Sequence, residues 1–313
     1  MGAVLIRRAG LALLLMLAAS ALTFAIVTAA PGNVAALIAE RAAGAGADAE
    51  MIKKFEQELG LNDPLPLRYS KWLGDAIAGD LGVSLRTGKP ISQEFAERIP
   101  VTAALLAGGG VLALLMSLCF GIAGAASNGG IIDRLLHAFA LVGASTPNFF
   151  VAAVLVTVFS VTLHLVPTFG TSGLTSWFLP WFTIALFPAS VLARVVRVNL
   201  QEAMSRPFAT TGFAKGLTRR QVLLREALPN ILIPYMTTFG AQFTLMVIGA
   251  IVVETIFALR GIGAFFIDAI RFRDFVGMQA VLLLFVVFFV SVNLIVDILA
   301  ILADPRLRRP RKA

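Results

Sequence analysis

The sequence predicts an all-α polytopic membrane protein with six transmembrane helices. Three observations carry this. Hydrophobic residues make up 58% of the 313 residues and charged residues only 14%, against about 25% charged in soluble domains. Mean hydropathy is +0.87. Apolar runs of the ~20 residues a membrane-crossing helix needs recur along the chain, at approximately 9–29, 100–126, 135–163, 179–198, 235–258 and 280–303.

The first run follows Arg7-Arg8. A signal-peptide core spans about 7–15 residues. This run is longer and further runs follow it, so it reads as an uncleaved first helix despite Thr28-Ala29-Ala30. Ile6 stands where a myristoylation motif needs Ser or Thr. The second run holds Gly108-Gly109-Gly110, which lets another helix approach closely. Its single cysteine, Cys119, excludes an intrachain disulfide and reads as a small packing residue. The third run contains Ser145-Thr146-Pro147-Asn148. Proline removes a backbone donor there and predicts a kink, tolerated when neighbours cover the freed groups.

An even number of crossings puts both termini on one side. Arg7 and Arg8 precede the first run, and Arg306, Arg308, Arg309, Arg311 and Lys312 follow the last. Arg194, Arg197, Arg206, Lys215, Arg219, Arg220 and Arg225 cluster between the fourth and fifth runs. All three clusters fall on one side, which the positive-inside rule makes cytoplasmic. The formal charge of +8 is therefore assigned to topology and anionic membrane lipid, with no nucleic-acid partner. The chain divides into a first helix (1–30), an outer segment (31–99), a core (100–303) with a cytoplasmic connection at 199–233, and a basic tail (304–313).

The outer segment has helical spacing. Met51, Ile52, Phe55 and Leu59 share a helix face, and Gly60 suits a C-cap. Asn62-Asp63-Pro64-Leu65-Pro66 breaks the pattern, and Leu67 to Ile77 resumes it with Tyr69 and Trp72 as interface anchors. The segment reads as a lid on the bundle or a landing surface for an outer partner; the two are compatible.

The connection from Val198 to Pro234 is richer than a turn requires. Ser205 is an expected cap for a helix from Pro207 to Lys215, with proline in the first turn and Gly216 as the left-handed stop. That helix presents Phe208 and Phe213. Thr218-Arg219-Arg220-Gln221 fits a capping box for a second helix carrying Val222, Leu223 and Leu224, which Pro229 is expected to end. Exposed phenylalanines on such a knuckle point to insertion in a partner's groove. An interfacial helix lying on lipid is the alternative.

This chain resembles the transmembrane permease subunits of bacterial ABC importers of the dipeptide/oligopeptide/nickel type. Thr210-Thr211-Gly212-Phe213-Ala214-Lys215-Gly216 followed by Leu228-Pro229 matches that family's cytoplasmic loop. So do Asn230–Pro234, Ala30-Pro31-Gly32, Glu58–Pro66, Gly79–Ser84, Ser145-Thr146-Pro147, and Glu254–Phe257 with Gly261-Ile262-Gly263. Their order and spacing cover nearly the whole chain. The family has an Arg-Thr-Ala run where Thr210-Thr211-Gly212 stands, and a non-proline near Pro229. The resemblance implies the type I importer permease fold and import of di- or oligopeptides, although nickel, sugars and opines enter through relatives. It implies ATPase coupling through Phe208, Thr211, Gly212, Phe213, Ala214, Lys215, Gly216, Leu228 and Pro229. It also implies a second homologous permease subunit forming a heterodimer, two cytoplasmic ATPase subunits, and a periplasmic or lipid-anchored substrate-binding protein. The setting implied is the bacterial inner membrane.

The chain has no Walker A loop. No cofactor is expected on it, and ATP and Mg are expected on the partner ATPases, so the chain reads as a non-enzyme. No metal-ligand spacing stands out, and His137 and His164 read as structural. Glu254 and Asp297 lie inside apolar runs, where carboxylates are costly and face a cavity, a partner or the interface. A pair with Arg260 is the structural reading of Glu254; Asp297 near the headgroups would pair with an arginine. A stand-alone secondary transporter and a non-transporting assembly protein remain alternatives.

Overall fold

A computed structural model describes residues 2–29, 35, 36, 39, 48–58, 60–127, 129–167 and 173–303. Expectations for the tail at 304–313 and for Leu59 fall outside them. Among the described residues, five helices are long and apolar enough to cross a membrane. They are α1 (Gly2–Ala29), α4 (Ile91–Ser127), α7 (Leu174–Met204), α9 (Arg219–Ile256) and α11 (Phe275–Ala303). The third expected span is not one kinked helix. It is two pieces, α5 (Ile131–Ser145) and α6 (Asn148–Leu155, continued by a π turn to Thr162), bent by 108° at Thr146-Pro147. Pro147 accounts for the break: it lacks an N–H, and it holds Thr146 extended at φ −94°, ψ 125°.

The pair nevertheless runs from one end of the bundle to the other. At its start Asp133 pairs with Arg197, near the basic end of α7. At its finish Phe159 and Val166 pack against the buried cluster that includes Leu179 and Leu259, as does Trp177. Trp177 and Arg197 lie on one helix and are separated by about 30 Å at 1.5 Å per residue. Taken as one span, the broken pair is the sixth candidate crossing.

The core centres on α4 against α7. Gly108 and Gly109 make this possible. A Cβ on Gly108 would overlap the Trp181 indole, and one on Gly109 would overlap Ile184. Trp181 Nε1 then donates to the Ala104 carbonyl at 3.0 Å. Cys119 faces outward from this bundle.

Between α1 and α4, the described residues form α2 (Ala49–Glu58) and α3 (Leu65–Ile77). Gly60 has φ +60°, and the Leu61 and Gly60 N–H groups close the helix end on Glu56 and Gln57. Tyr69 and Trp72 are half-buried. Both pack on Phe24 of α1, and the Tyr69 and Ser20 hydroxyls lie 2.8 Å apart. Farther on, Ser84 Oγ donates to the buried Asp274 carboxylate at 2.5 Å. Arg86 pairs with Asp268 at 2.7 Å. Those acids flank the joint between α10 (Ile262–Arg271) and α11. The described part of the segment is therefore tied down at two places, α1 and the α10–α11 joint.

Candidate functional site

Two sites follow from the sequence: the knuckle after α7 and the carboxylate Glu254. The knuckle helix α8 spans Pro207–Ala214, with Pro207 in its first turn. Ser205 does not cap it. Its hydroxyl turns back and donates to the Glu202 carbonyl at 2.7 Å, closing α7 instead. Gly216 has φ +79°, and the Gly216 and Leu217 N–H groups reach the Phe213 and Gly212 carbonyls. This is the left-handed stop the spacing demands. Next, Thr218 and Gln221 form the capping box: each side chain accepts the other's backbone N–H, at 3.3 and 2.8 Å.

The expected stop at Pro229 is absent. From Val222 to Ala227 the helix winds as a π turn, and α9 continues through Pro229 to Ile256. A proline ring ordinarily strikes the carbonyl four residues back. The π turn resets the ladder, so that Pro229 falls in the first turn of the following α run. Knuckle and spanning helix are consequently one continuous rod from Arg219 onward.

α8 is fastened to this rod. Ala209 and Gly212 are buried, and a Cβ on Gly212 would lie 3.2 Å from Val222 Cγ2. Phe208, expected to be exposed, is half-buried against the cluster of Leu200, Leu223 and Tyr235. This contact roots the knuckle in the bundle. Leu228 turns inward with it. Phe213 is 44% exposed, and Thr211, Ala214, Lys215 and Gly216 share the open surface. Of the nine expected coupling residues, five are thus surface groups. Gly212 is buried, Phe208 and Leu228 are half-buried, and Pro229 is exposed but lies on α9.

The knuckle sits where α5 is locked to α7. Asp133 is buried and accepts a forked pair of bonds from Arg197, at 2.5 Å to Nε and 2.7 Å to Nη2. Gly129 N–H adds a third at 3.1 Å. Neither residue stood out in the sequence by pattern. The available signal was an arginine inside an apolar run with an acid just past a break.

Glu254 is fully buried near the end of α9. It does not pair with Arg260. Its oxygens accept from the Thr102 hydroxyl at 2.6 Å and the Ala264 N–H at 2.9 Å. The same Thr102 hydroxyl accepts from Ile262 N–H at 2.9 Å. A side chain on Gly261 would overlap the Glu254 carboxyl. The Glu254…Gly261-Ile262-Gly263 spacing therefore encodes one cradle joining α4, α9 and α10. Removing it should be costly: Glu254→Ala leaves buried donors unmet, at about 1–3 kcal/mol. We expect Glu254→Ala to lower the melting temperature in detergent, and Glu254→Gln, which keeps one acceptor, to lower it far less. Equal losses would contradict this cradle. Asp297 lies in α11, but its side chain is outside the described residues.

Two family models cover the chain. "Binding-protein-dependent transport system inner membrane component" matches residues 117–309. The N-terminal membrane component model of the same system matches residues 1–106. The chain belongs to this family. A probable peptide ABC transporter permease of Sinorhizobium fredii is 33% identical over 98% of this chain and 100% of its own length. A putative peptide transport system permease of Brucella abortus is 35% identical over 98% and 99%. A glutathione transport system permease of Escherichia coli is 35% identical over 92% and 93%. Among solved structures, a chain of the inward-facing MetNI methionine ABC transporter superposes with TM-score 0.57 at 16% identity, covering 68% of this chain and 98% of that one. That likeness establishes the shared fold. This family member is a multi-pass inner-membrane transport component, and a permease rather than an enzyme family.

Proposed function

We propose that this permease is one half of the translocation pathway of an ATP-driven importer of di- or oligopeptides, with the α8 knuckle as its ATPase contact. One observation carries the reading. An exposed phenylalanine, Phe213, stands on a short helix welded to two crossing helices, α7 and α9. In this reading a push on that helix is passed to both rods, through the close approach of Gly212 to Val222 and through Phe208 packed on the cluster of Leu200, Leu223 and Tyr235. The peptide and glutathione permeases among its relatives support a peptide cargo.

The complex would comprise a second homologous permease, two cytoplasmic ATPase subunits holding ATP and Mg, and an outer binding protein delivering the substrate. This chain itself holds no nucleotide in that scheme. Purification in mild detergent should bring down these subunits together, with ATP hydrolysis rising when peptide-loaded binding protein is added. Recovery of the chain alone, or hydrolysis indifferent to peptide, would remove the reading.

Sidedness follows from the basic clusters at Arg7-Arg8, Arg194–Arg225 and the tail. An alkaline-phosphatase fusion after Ala313 should be inactive, and a green-fluorescent fusion there should be bright. A cysteine at Asp48, on the other side, should react with an impermeant maleimide in intact cells. Phosphatase activity after Ala313 would rule out cytoplasmic termini.

A further inference from the structure

We propose that the break between α5 and α6, with the facing side of α9, borders the water-filled path of the solute. In this scheme Ser145, Asn148 and Gln242 exchange hydrogen bonds with the peptide groups of the passing substrate. The inference rests on the importer reading above and adds the pathway residues to it.

The Thr146-Pro147 break lies at mid-depth. Gly143, just before it, abuts Leu186 and Ser190, and Asn148, just after it, abuts Gly249. A helix end leaves its last four carbonyls without ladder partners. Here the Thr146 hydroxyl covers the Val142 carbonyl at 2.6 Å. In hydrocarbon, broken backbone is tolerated only where protein buries it or where it borders water. Ser145 and Pro147 are exposed in this chain, so its own fold does not bury the break.

A hollow of about 490 Å³ opens there. Ser145, Asn148 and Gln242 line it, together with Gly249, and no charged side chain does. The Gln242 Oε1 atom is buried without a hydrogen-bond partner. The Asn148 amide lies across Gly249, its nitrogen 2.8 Å from where a Cβ would stand, so any other residue at 249 would displace it. Lipid tails offer these amides nothing, and unmet polar groups in hydrocarbon cost several kcal/mol each. Water and a peptide offer both donors and acceptors. Most of the rest of the lining, Phe149, Ile184, Phe187 and Met246 among it, is apolar, and a lining without fixed charge suits cargo whose side chains vary in charge, because a fixed charge would repel part of it.

The test is cysteine accessibility in the intact complex in nanodiscs, on a Cys119→Ala background. Ser145→Cys, Asn148→Cys and Gln242→Cys are each treated with a membrane-impermeant, positively charged methanethiosulfonate. Leu14→Cys is the control: Leu14 is 62% exposed at mid-length on α1. Thiols react as thiolates, which form in water and not in lipid. The three sites should therefore label at least about tenfold faster than the control in one nucleotide state. Peptide-loaded binding protein with ATP should slow that labelling. Control-rate labelling at all three sites in every nucleotide state overturns the proposal, whether lipid or the sister subunit covers the face. Peptide-stimulated ATP hydrolysis in the same preparation tests the importer reading separately. Intact stimulation with unreactive cysteines would sink only the pathway assignment.

Discussion

Phe213→Ala is expected to release the ATPases and abolish peptide-stimulated ATP hydrolysis while leaving the membrane-crossing helices inserted. The side chain is 44% exposed, so its loss opens no cavity in the bundle. If it is the anchor for the ATPase groove, truncation costs about 2 kcal/mol or more, on the order of thirtyfold in affinity. The ATPases should then wash away during purification, and peptide-stimulated hydrolysis in liposomes should collapse. Gly216→Val is expected to act on the same coupling by another route. Space is not the obstacle, since nothing lies within 4 Å of a Cβ at Gly216. The obstacle is the left-handed backbone at φ +79°, which β-branched residues resist at a cost of about 1–3 kcal/mol. Gly216→Asn separates the two causes, because asparagine enters that region readily. It should retain most coupling. Phe208→Ala should behave differently from Phe213→Ala, lowering thermal stability because Phe208 is rooted among Leu200, Leu223 and Tyr235. Unchanged co-purification and hydrolysis in both Phe213→Ala and Gly216→Val would move the coupling contact away from this helix.

Arg197→Leu is expected to be the most destabilising single change near the knuckle. Asp133 is 3% exposed at its side chain, and Arg197 supplies two of its three hydrogen bonds. Removing one partner of a buried pair leaves an uncompensated charge, at about 3 kcal/mol or more. Neutralising Asp133 as well is far milder, because no uncompensated charge remains. Arg197→Leu should thus lower the melting temperature strongly, and Asp133→Asn combined with Arg197→Leu should recover most of it. Arg197→Lys should fall between, since a lysine cannot make the forked contact. The pair holds the start of the broken crossing to α7, so Arg197→Leu should also expose α5 to protease from the basic side. A double variant no better than Arg197→Leu alone would show that packing of the arginine stem, and not the charge pair, supplies the stability.

What was legible in the sequence alone was set by interactions within a few residues. The apolar runs predicted the crossings because length and hydropathy alone decide whether a helix fits a bilayer. Gly216 and the Thr218–Gln221 box were equally plain, because caps act across three or four positions. The carboxylate Glu254 stood out as costly in an apolar run, yet its partners did not: Thr102 lies 152 residues away in the chain. Tertiary structure alone decided such matters. It turned the Pro147 kink into a 108° break between two helices. It carried α9 through Pro229 by a π turn, where propensity by itself ends a helix. It drew Phe208 inward while leaving Phe213 out, although both are phenylalanines on one short helix. The physical reason is common to all four. A local pattern states which groups want burial or a partner, but the surface that meets them comes from helices far along the chain, and only packing determines which face each side chain finds.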